Sequence, residues 1–421
     1  MKLSKNSKKL MLFFTKNNHI HKKPQTVSTE NILTELYNDI YDAYNYLLAL
    51  KQKGDYFSVS TKKIVSATQI SRPQNFNSKS FPELVRKHID ELTMSELTYT
   101  FSLYGRSIKI RFVVEEDNIE LKLDTYNNYV DAIIMWLYIL NDYASKQCSS
   151  TLIIYLYFTS LEKNLPGSNI HILDEINVNT AFTTTCPKDS EIVVFRKEEW
   201  FKVLIHETFH NFALDFSDMN NAEAHKCILN IFKVKSDVNL YESYTEFWAE
   251  IMNALFCSFL TLKDKTNIDE FLTNSQFFIN FEITYSFFQL AKTLKFMGLT
   301  YKDLYSKTEH SRIMRENLYK EKTNVLAYYV IKTIMINNYQ GFLAWCKNNN
   351  FSLLQFKKTL ANQREFCKFI EKNYKTTSMT EGIYKAEGFL NNIEKTRGTK
   401  MTNKNLSYTL MNLRMSICEL G

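Results

Sequence analysis

Trp200 to Ser217 reads WFKVLIHETFHNFALDFS, and at its centre stands His206-Glu207-Thr208-Phe209-His210. The segment has the character of a helix, and residues four apart on a helix share a face, so the two imidazoles can converge on one point. Two neutral imidazoles at that spacing fill two corners of a tetrahedral zinc site, and Glu207 stands beside the open fourth position. An amphipathic helix with two half-buried, hydrogen-bonded histidines would carry the same five letters. The chain has only eight His, so the pair is not a by-product of a His-rich tract.

Working outward, the preceding segments alternate in period. Glu30 to Lys51 has apolar residues at helical spacing, and Pro82 to Leu92 predicts a second helix with Ser80 as N-cap. Leu97, Tyr99, Phe101 and Leu103, then Ile108, Ile110, Phe112 and Val114, alternate with polar residues around Tyr104-Gly105-Arg106, which predicts a hairpin with one buried face. Ile119 to Leu123 is expected to add a short strand, Tyr126 to Ala144 an apolar helix, and Thr151 to Phe158 a buried strand. Asn177 to Thr183 is polar and extended, and Glu191 to Arg196 reads as a strand. The histidine helix is then expected over Lys197 to Asp215, with Glu198 and Glu199 in its first turn, where the helix dipole favours carboxylates. Beyond it, a short helix within Ala222 to Val234 and a long one over Leu240 to Leu260 precede an almost wholly helical remainder. Asn324 to Asn337 is the central core helix of that remainder.

A hydrolytic zinc site needs three protein ligands and one open position. Glu242, Glu246 and Glu250, four apart in YESYTEFWAE, line one face of the Leu240 helix. Like charges at that spacing repel, and a cation would offset the repulsion. The plainer alternative is a solvated acidic face, with Glu242 closing a capping box on Asn239.

With these two helices the chain resembles the gluzincin class of zinc metallopeptidases, in which H-E-x-x-H is followed on a later helix by a ligand Glu, often with a second acid four residues on. The resemblance spans residues 96–262 in element order and is sharp at His206–His210 and Glu242–Glu250. It implies a zincin-like α+β fold: a small twisted sheet with a covering helix, the H-E-x-x-H helix and the Glu-ligand helix, then a helical C-terminal lobe. Glu242-Ser243-Tyr244-Thr245-Glu246 is similar to the E-G-x-[AT]-E pattern of aminopeptidase-like members, with Ser243 where Gly is usual, and makes Glu242 the ligand. Glu246-Phe247-Trp248-Ala249-Glu250 is similar to the E-F-F-A-E pattern of lethal-factor-like members and would make Glu246 the ligand. The helix start after Asn239 favours Glu242, with Glu246 orienting a ligand imidazole. The implied activity is zinc-dependent hydrolysis of a peptide or protein substrate. His206, His210 and Glu242 would hold Zn²⁺, Glu207 would act as general base, and Tyr328 (or Tyr329) would donate to the oxyanion. Tyr244 is a further candidate donor. His225 and His310 read as surface or satisfied histidines. Asn177 to Thr183 would pair with an extended peptide, and Cys186 nearby reads as a loop cysteine rather than a thiolate capping the metal. The competing expectation is a catalytically inactive zincin-fold structural or interaction protein, for example within a virion or assembly.

Composition sets the frame. A chain of 421 residues with 45% hydrophobic and 14% aromatic residues can bury a large core. Abundant Lys, Asn, Tyr, Phe and Ile match AT-rich codons, as in large DNA viruses or parasites. Seven lysines and no acids fall in residues 1–25, and the remaining 45 Lys and Arg balance 45 Asp and Glu. A neutral body with a basic tail argues against a nucleic-acid groove, leaving at most weak binding through the leader. Seven scattered cysteines without C-x-x-C suggest reduced thiols and a cytoplasmic or other intracellular, reducing compartment. No apolar run approaches a membrane span. The expected division is a flexible basic leader (1–28), an N-terminal helical segment (29–95), an α+β catalytic core (96–262) and a helical lobe (263–421).

Overall fold

The computed structural model describes residues 2–397 and 404–421. Its architecture is α+β: one open, mixed six-stranded sheet and many helices. The strands are β1 (Ser58–Lys63), β2 (Ser95–Leu103), β3 (Arg106–Val114), β4 (Thr151–Phe158), β5 (Ala181–Thr183) and β6 (Asp189–Val194), in the order β1-β2-β3-β4-β6-β5. The predicted hairpin is β2–β3, antiparallel, with Leu97 opposite Phe112 and Tyr99 opposite Ile110. β3, β4 and β6 run parallel, and β5 turns back against β6 with Ala181 opposite Val194. β5 therefore forms one edge of the sheet.

Alternation along the strands gives the sheet two apolar faces. Val113, Tyr155, Tyr157, Val193 and Phe195 pack with Phe81, Val85 and Ile89 on one side. Leu97, Ile110, Ile154, Leu156 and Val194 join the main core on the other.

The helices in chain order begin with α1 (Lys5–Lys16), α2 (Val27–Lys53), α3 (Glu83–Leu92), α4 (Leu123–Tyr143) and α5 (Glu175–Val178). Next come α6 (Trp200–Asn211), α7 (Ala222–Ile231), α8 (Leu240–Thr261) and α9 (Ile268–Phe296). The short α10 (Tyr301–Tyr305) and α11 (Glu309–Leu318) lead to a π-helical turn, Leu326–Ile331, that runs into α12 (Lys332–Asn337). α13 (Tyr339–Asn349), α14 (Leu360–Asn373), α15 (Thr377–Arg397) and α16 (Lys404–Met411) complete the set. α8 is apolar all round except for its acidic stripe, and it is buried throughout from Ser243 to Phe259, as such a helix must be. The segment expected as the central core helix, Asn324 to Asn337, is the π turn plus α12, with every residue from Val325 to Asn337 buried.

Several expectations need correction. The basic leader is not a free tail. Ser4 caps α1, whose Leu10, Met11 and Phe14 are buried, and Lys23 reaches Asn337. Three apolar residues at helical spacing outweighed the lysines, which stay on the outer face. Ile119–Lys122 is a 3₁₀ turn leading into α4, not a strand. The extended stretch from Asn177 is a strand only from Ala181, because Asp174 caps the short α5 before it. Pro82, not Ser80, sits at the N-cap of α3. β1 had no apolar alternation to signal it, and all six of its residues are exposed. Apolar side chains of residues 96–262 and 263–421 belong to one continuous cluster. Among the described residues, no helix is long and apolar enough to cross a membrane.

Candidate metal centre

α6 lies between β5 and α8, held by polar contacts on its rear face. Trp136 of α4 donates Nε1–H to Thr208 Oγ1 at 2.8 Å. Asn211 in the last turn donates to Thr183 Oγ1 (3.0 Å) and the Thr184 carbonyl (3.3 Å), tying α6 to the edge strand. The helix then ends on Ala213 in the left-handed region (φ 54°), with Ala213 N–H donating to His210 O and Leu214 N–H to Phe209 O. This Schellman-type stop sends the chain back along the helix and brings Asp215 beneath His210.

On the open face, His206 Nε2 and His210 Nε2 are 3.1 Å apart. Glu242 Oε2 stands 3.2 Å from the first and 3.4 Å from the second. Each imidazole turns its other nitrogen to a buried carboxylate: His206 Nδ1–H donates to Glu246 Oε2 at 2.9 Å, and His210 Nδ1–H donates to Asp215. Those bonds fix the tautomer that leaves both Nε2 atoms free for one shared point. One ligand atom from each of His206, His210 and Glu242 falls within 4.8 Å of the others, the one such group of three among the described residues. Two imidazole nitrogens and one carboxylate oxygen, with both imidazoles braced by carboxylates, form a donor set that fits a divalent metal ion.

The electrostatics follow from burial and pairing. Burial pushes Glu242 up, but the facing His210 and His206 outweigh it and hold the carboxyl well below the usual range. Burial likewise opposes, and Asp215 and Glu242 overcome, a pKa for His210 well above ordinary histidine. Burial raises Glu207, against the pull of His206 and His210. Glu246 is buried too, yet Lys202 and His206 keep it low.

Of the residues expected at the site, His206, Glu207, His210, Glu242, Glu246 and Tyr328 are brought together. Tyr328, on the π turn, donates its phenol to Glu242 Oε2 at 2.9 Å. Glu207 lines a cleft with Asn179, Thr180 and Ala181, the start of the edge strand, and with Val203, Tyr328 and Met415. Tyr329 points elsewhere, donating to the Leu413 carbonyl, and Tyr244 donates to the Leu354 carbonyl. His225 Nδ1 lies 3.2 Å from the Val238 carbonyl, and His310 is exposed on α11. Cys186 is disulfide-bonded to Cys148, which removes it as a thiolate and corrects the expectation that every cysteine is reduced. Glu242 makes no capping box: Asn239 instead donates to Asn324 Oδ1 at 3.0 Å. Glu198 and Glu199 precede α6 rather than starting it. Glu198 accepts from Lys163 N–H (2.8 Å), and Glu199 from the backbone of Met415 and Ser416 and from Lys163 Nζ.

Sequence reading passed over Asp215, Lys202 and Lys163. Lys202 forms a fully buried ion pair with Glu246. A signal was present, since Lys202, His206 and His210 step by four along one face of α6. A cavity of about 460 Å³ lies apart from this cluster, beside Val114, Phe158 and Glu419.

The fold and site thus define an α+β protein with a candidate divalent-metal centre between two helices, beside a sheet edge. No protein-family model, curated protein or solved structure matches the chain.

Proposed function

We propose that this chain is a zinc-dependent metallopeptidase of the gluzincin type, with a zincin-like core. The reading is carried by the convergence of His206 Nε2, His210 Nε2 and Glu242 Oε2, with Glu207 on the wall of a cleft that runs along a sheet edge. The three residues would hold Zn²⁺, which when bound supplies Lewis acidity to a water molecule and to the scissile carbonyl. Glu207, raised by burial, accepts the proton of the attacking water and returns it to the leaving amine. Tyr328 keeps its phenolic proton, because burial and the nearby Glu242 push its pKa well above ordinary tyrosine, and it donates to the oxyanion. The outer edge of β5 offers backbone groups to an extended peptide. Thr180 adds a buried hydroxyl on the cleft wall that has no partner among the described residues. Glu246 orients His206 and is not itself a ligand.

Metal analysis of the purified chain tests the ligand set. Wild type should carry about one zinc, His206→Ala and Glu242→Ala none, and Glu246→Ala should retain metal with affinity lowered roughly 10- to 100-fold. Glu207→Gln should keep the metal and lose cleavage of a peptide library by about 10²–10⁴. Cleavage by that variant at the wild-type rate would end the mechanistic assignment. Stoichiometric zinc with no cleavage of any peptide would instead favour an inactive binding protein.

A further inference from the structure

Cys227 and Cys367 form a second pair of neighbouring cysteines, apart from the Cys148–Cys186 bond. Cys227 lies on α7 and Cys367 on α14, and the two thiols are hydrogen-bonded to each other. The packing of the two helices puts them there. Arg364 Nε donates to Glu223 Oε1 at 2.6 Å, Gln363 Nε2 donates to Asn221 Oδ1 at 2.9 Å, and one turn further along both helices come Cys227 and Cys367. Both thiols line a surface groove of about 210 Å³, and Cys227 is partly exposed.

Two readings of paired thiols compete: a soft-metal site or a disulfide. A metal site would need a third ligand within reach, and among the described residues the one group of three or more His, Cys, Asp or Glu able to share an ion is that of His206, His210 and Glu242. With the two thiols on facing turns of packed helices and lining one groove, a disulfide needs no further group. We propose that Cys227 and Cys367 are a modification site that closes to a disulfide by exchange with a small-molecule disulfide such as oxidised glutathione. The Cys227 thiolate attacks a sulfur of the reagent, breaking its S–S bond, forming a mixed disulfide and releasing one glutathione thiolate. The Cys367 thiolate then attacks the Cys227 sulfur and releases the second. Two protein thiols are oxidised, the reagent takes both electrons, and the two protons end on two glutathione thiols.

Cys227 is the attacking group because it is the more accessible, and the Cys367 thiol donates to it and lowers its pKa. Cys257 and Cys418 are also hydrogen-bonded to each other, but both are fully buried, so no reagent reaches them in the folded chain. The closed bridge would tie α7, which lies in the chain between the histidine helix and the Glu242 helix, to α14.

The test is to incubate the folded full chain with oxidised glutathione, denature it in an alkylating agent and map the peptides by mass spectrometry. The five free cysteines should fall to three, Cys257, Cys346 and Cys418, with a Cys227–Cys367 linked peptide. In Cys367→Ser, Cys227 should keep one glutathione as a stable mixed disulfide. Five alkylated cysteines in the wild type, or Cys227 and Cys367 each carrying glutathione without a linked peptide, overturns the proposal. An unmodified Cys227 in the folded Cys367→Ser chain overturns the assigned order of attack.

Discussion

The two ends of the acidic stripe on α8 carry the same residue at the same spacing and have opposite surroundings. At the outer end, Glu242 faces two imidazoles and a phenol. At the inner end, Glu250 faces a lysine that the chain supplies: Lys332 Nζ lies 3.1 Å from Oε2 and donates to Ser286 Oγ at 2.8 Å. Glu282, which accepts from Ser416, Ile417 and Cys418, is hydrogen-bonded to Glu250. Glu246, between them, shares both characters, with an imidazole on one oxygen and Lys202 on the other. Repulsion along the stripe is offset by Lys202 at the middle turn, and at the inner turn burial holds a proton on Glu250 beside Lys332. At the outer turn the partners are metal-binding groups, so the cation there can be one that binds. A row of glutamates on a helix therefore has no single role; the partner delivered to each turn sets it.

Replacing Glu by Gln at each end should break this symmetry most sharply. Glu242→Gln removes a charged donor and should abolish both zinc retention and hydrolysis, measured by metal content and peptide turnover. Next in size is Lys202→Met. Taking one partner from a fully buried ion pair leaves Glu246 uncompensated and should cost about 3–5 kcal/mol in chemical denaturation. It should also weaken metal binding, since Glu246 braces His206; unchanged stability would show that the pair is not formed.

Glu250→Gln should do little at neutral pH, and its signature is in the pH profile. Burial, with the neighbouring Glu282 and Glu246, raises Glu250 well above its ordinary value despite Lys332. Between about pH 4.3, where the unfolded carboxyl ionises, and that raised value, the folded chain holds a proton the unfolded chain has released. Stability should therefore fall as pH rises through this window. The Gln variant should flatten that part of the curve and keep its metal, and an unchanged slope would refute the protonated state.

The smallest effect belongs to the turn that ends α6. Ala213→Gly relieves a left-handed alanine and should raise stability by about 0.5–1 kcal/mol, with zinc content unchanged.

How much of this was legible depended on distance along the chain. The hairpin over 95–114, the strand Thr151–Phe158, α6 and α8 were readable because periodicity is local. Lys202 was legible in principle, at one four-residue step before His206. Asp215 was not, because its approach to His210 depends on the reversal at Ala213, an unusual residue for that conformation. The docking of α1 and the Cys148–Cys186 bond join parts of the chain too far apart for local pattern to connect.

By itself the sequence determined two helices, one carrying His206 and His210 on one face with Glu207 beside them and the other carrying three glutamates. A helix fixes which of its residues align, so spacing alone sufficed. It did not determine which glutamate meets the imidazoles, because that depends on the rotation of α8 about its axis and its height against α6. Long-range packing of α8 against α6, α9 and the π turn set both, and turned Glu242 to the Nε2 atoms and Glu246 to Nδ1 of His206.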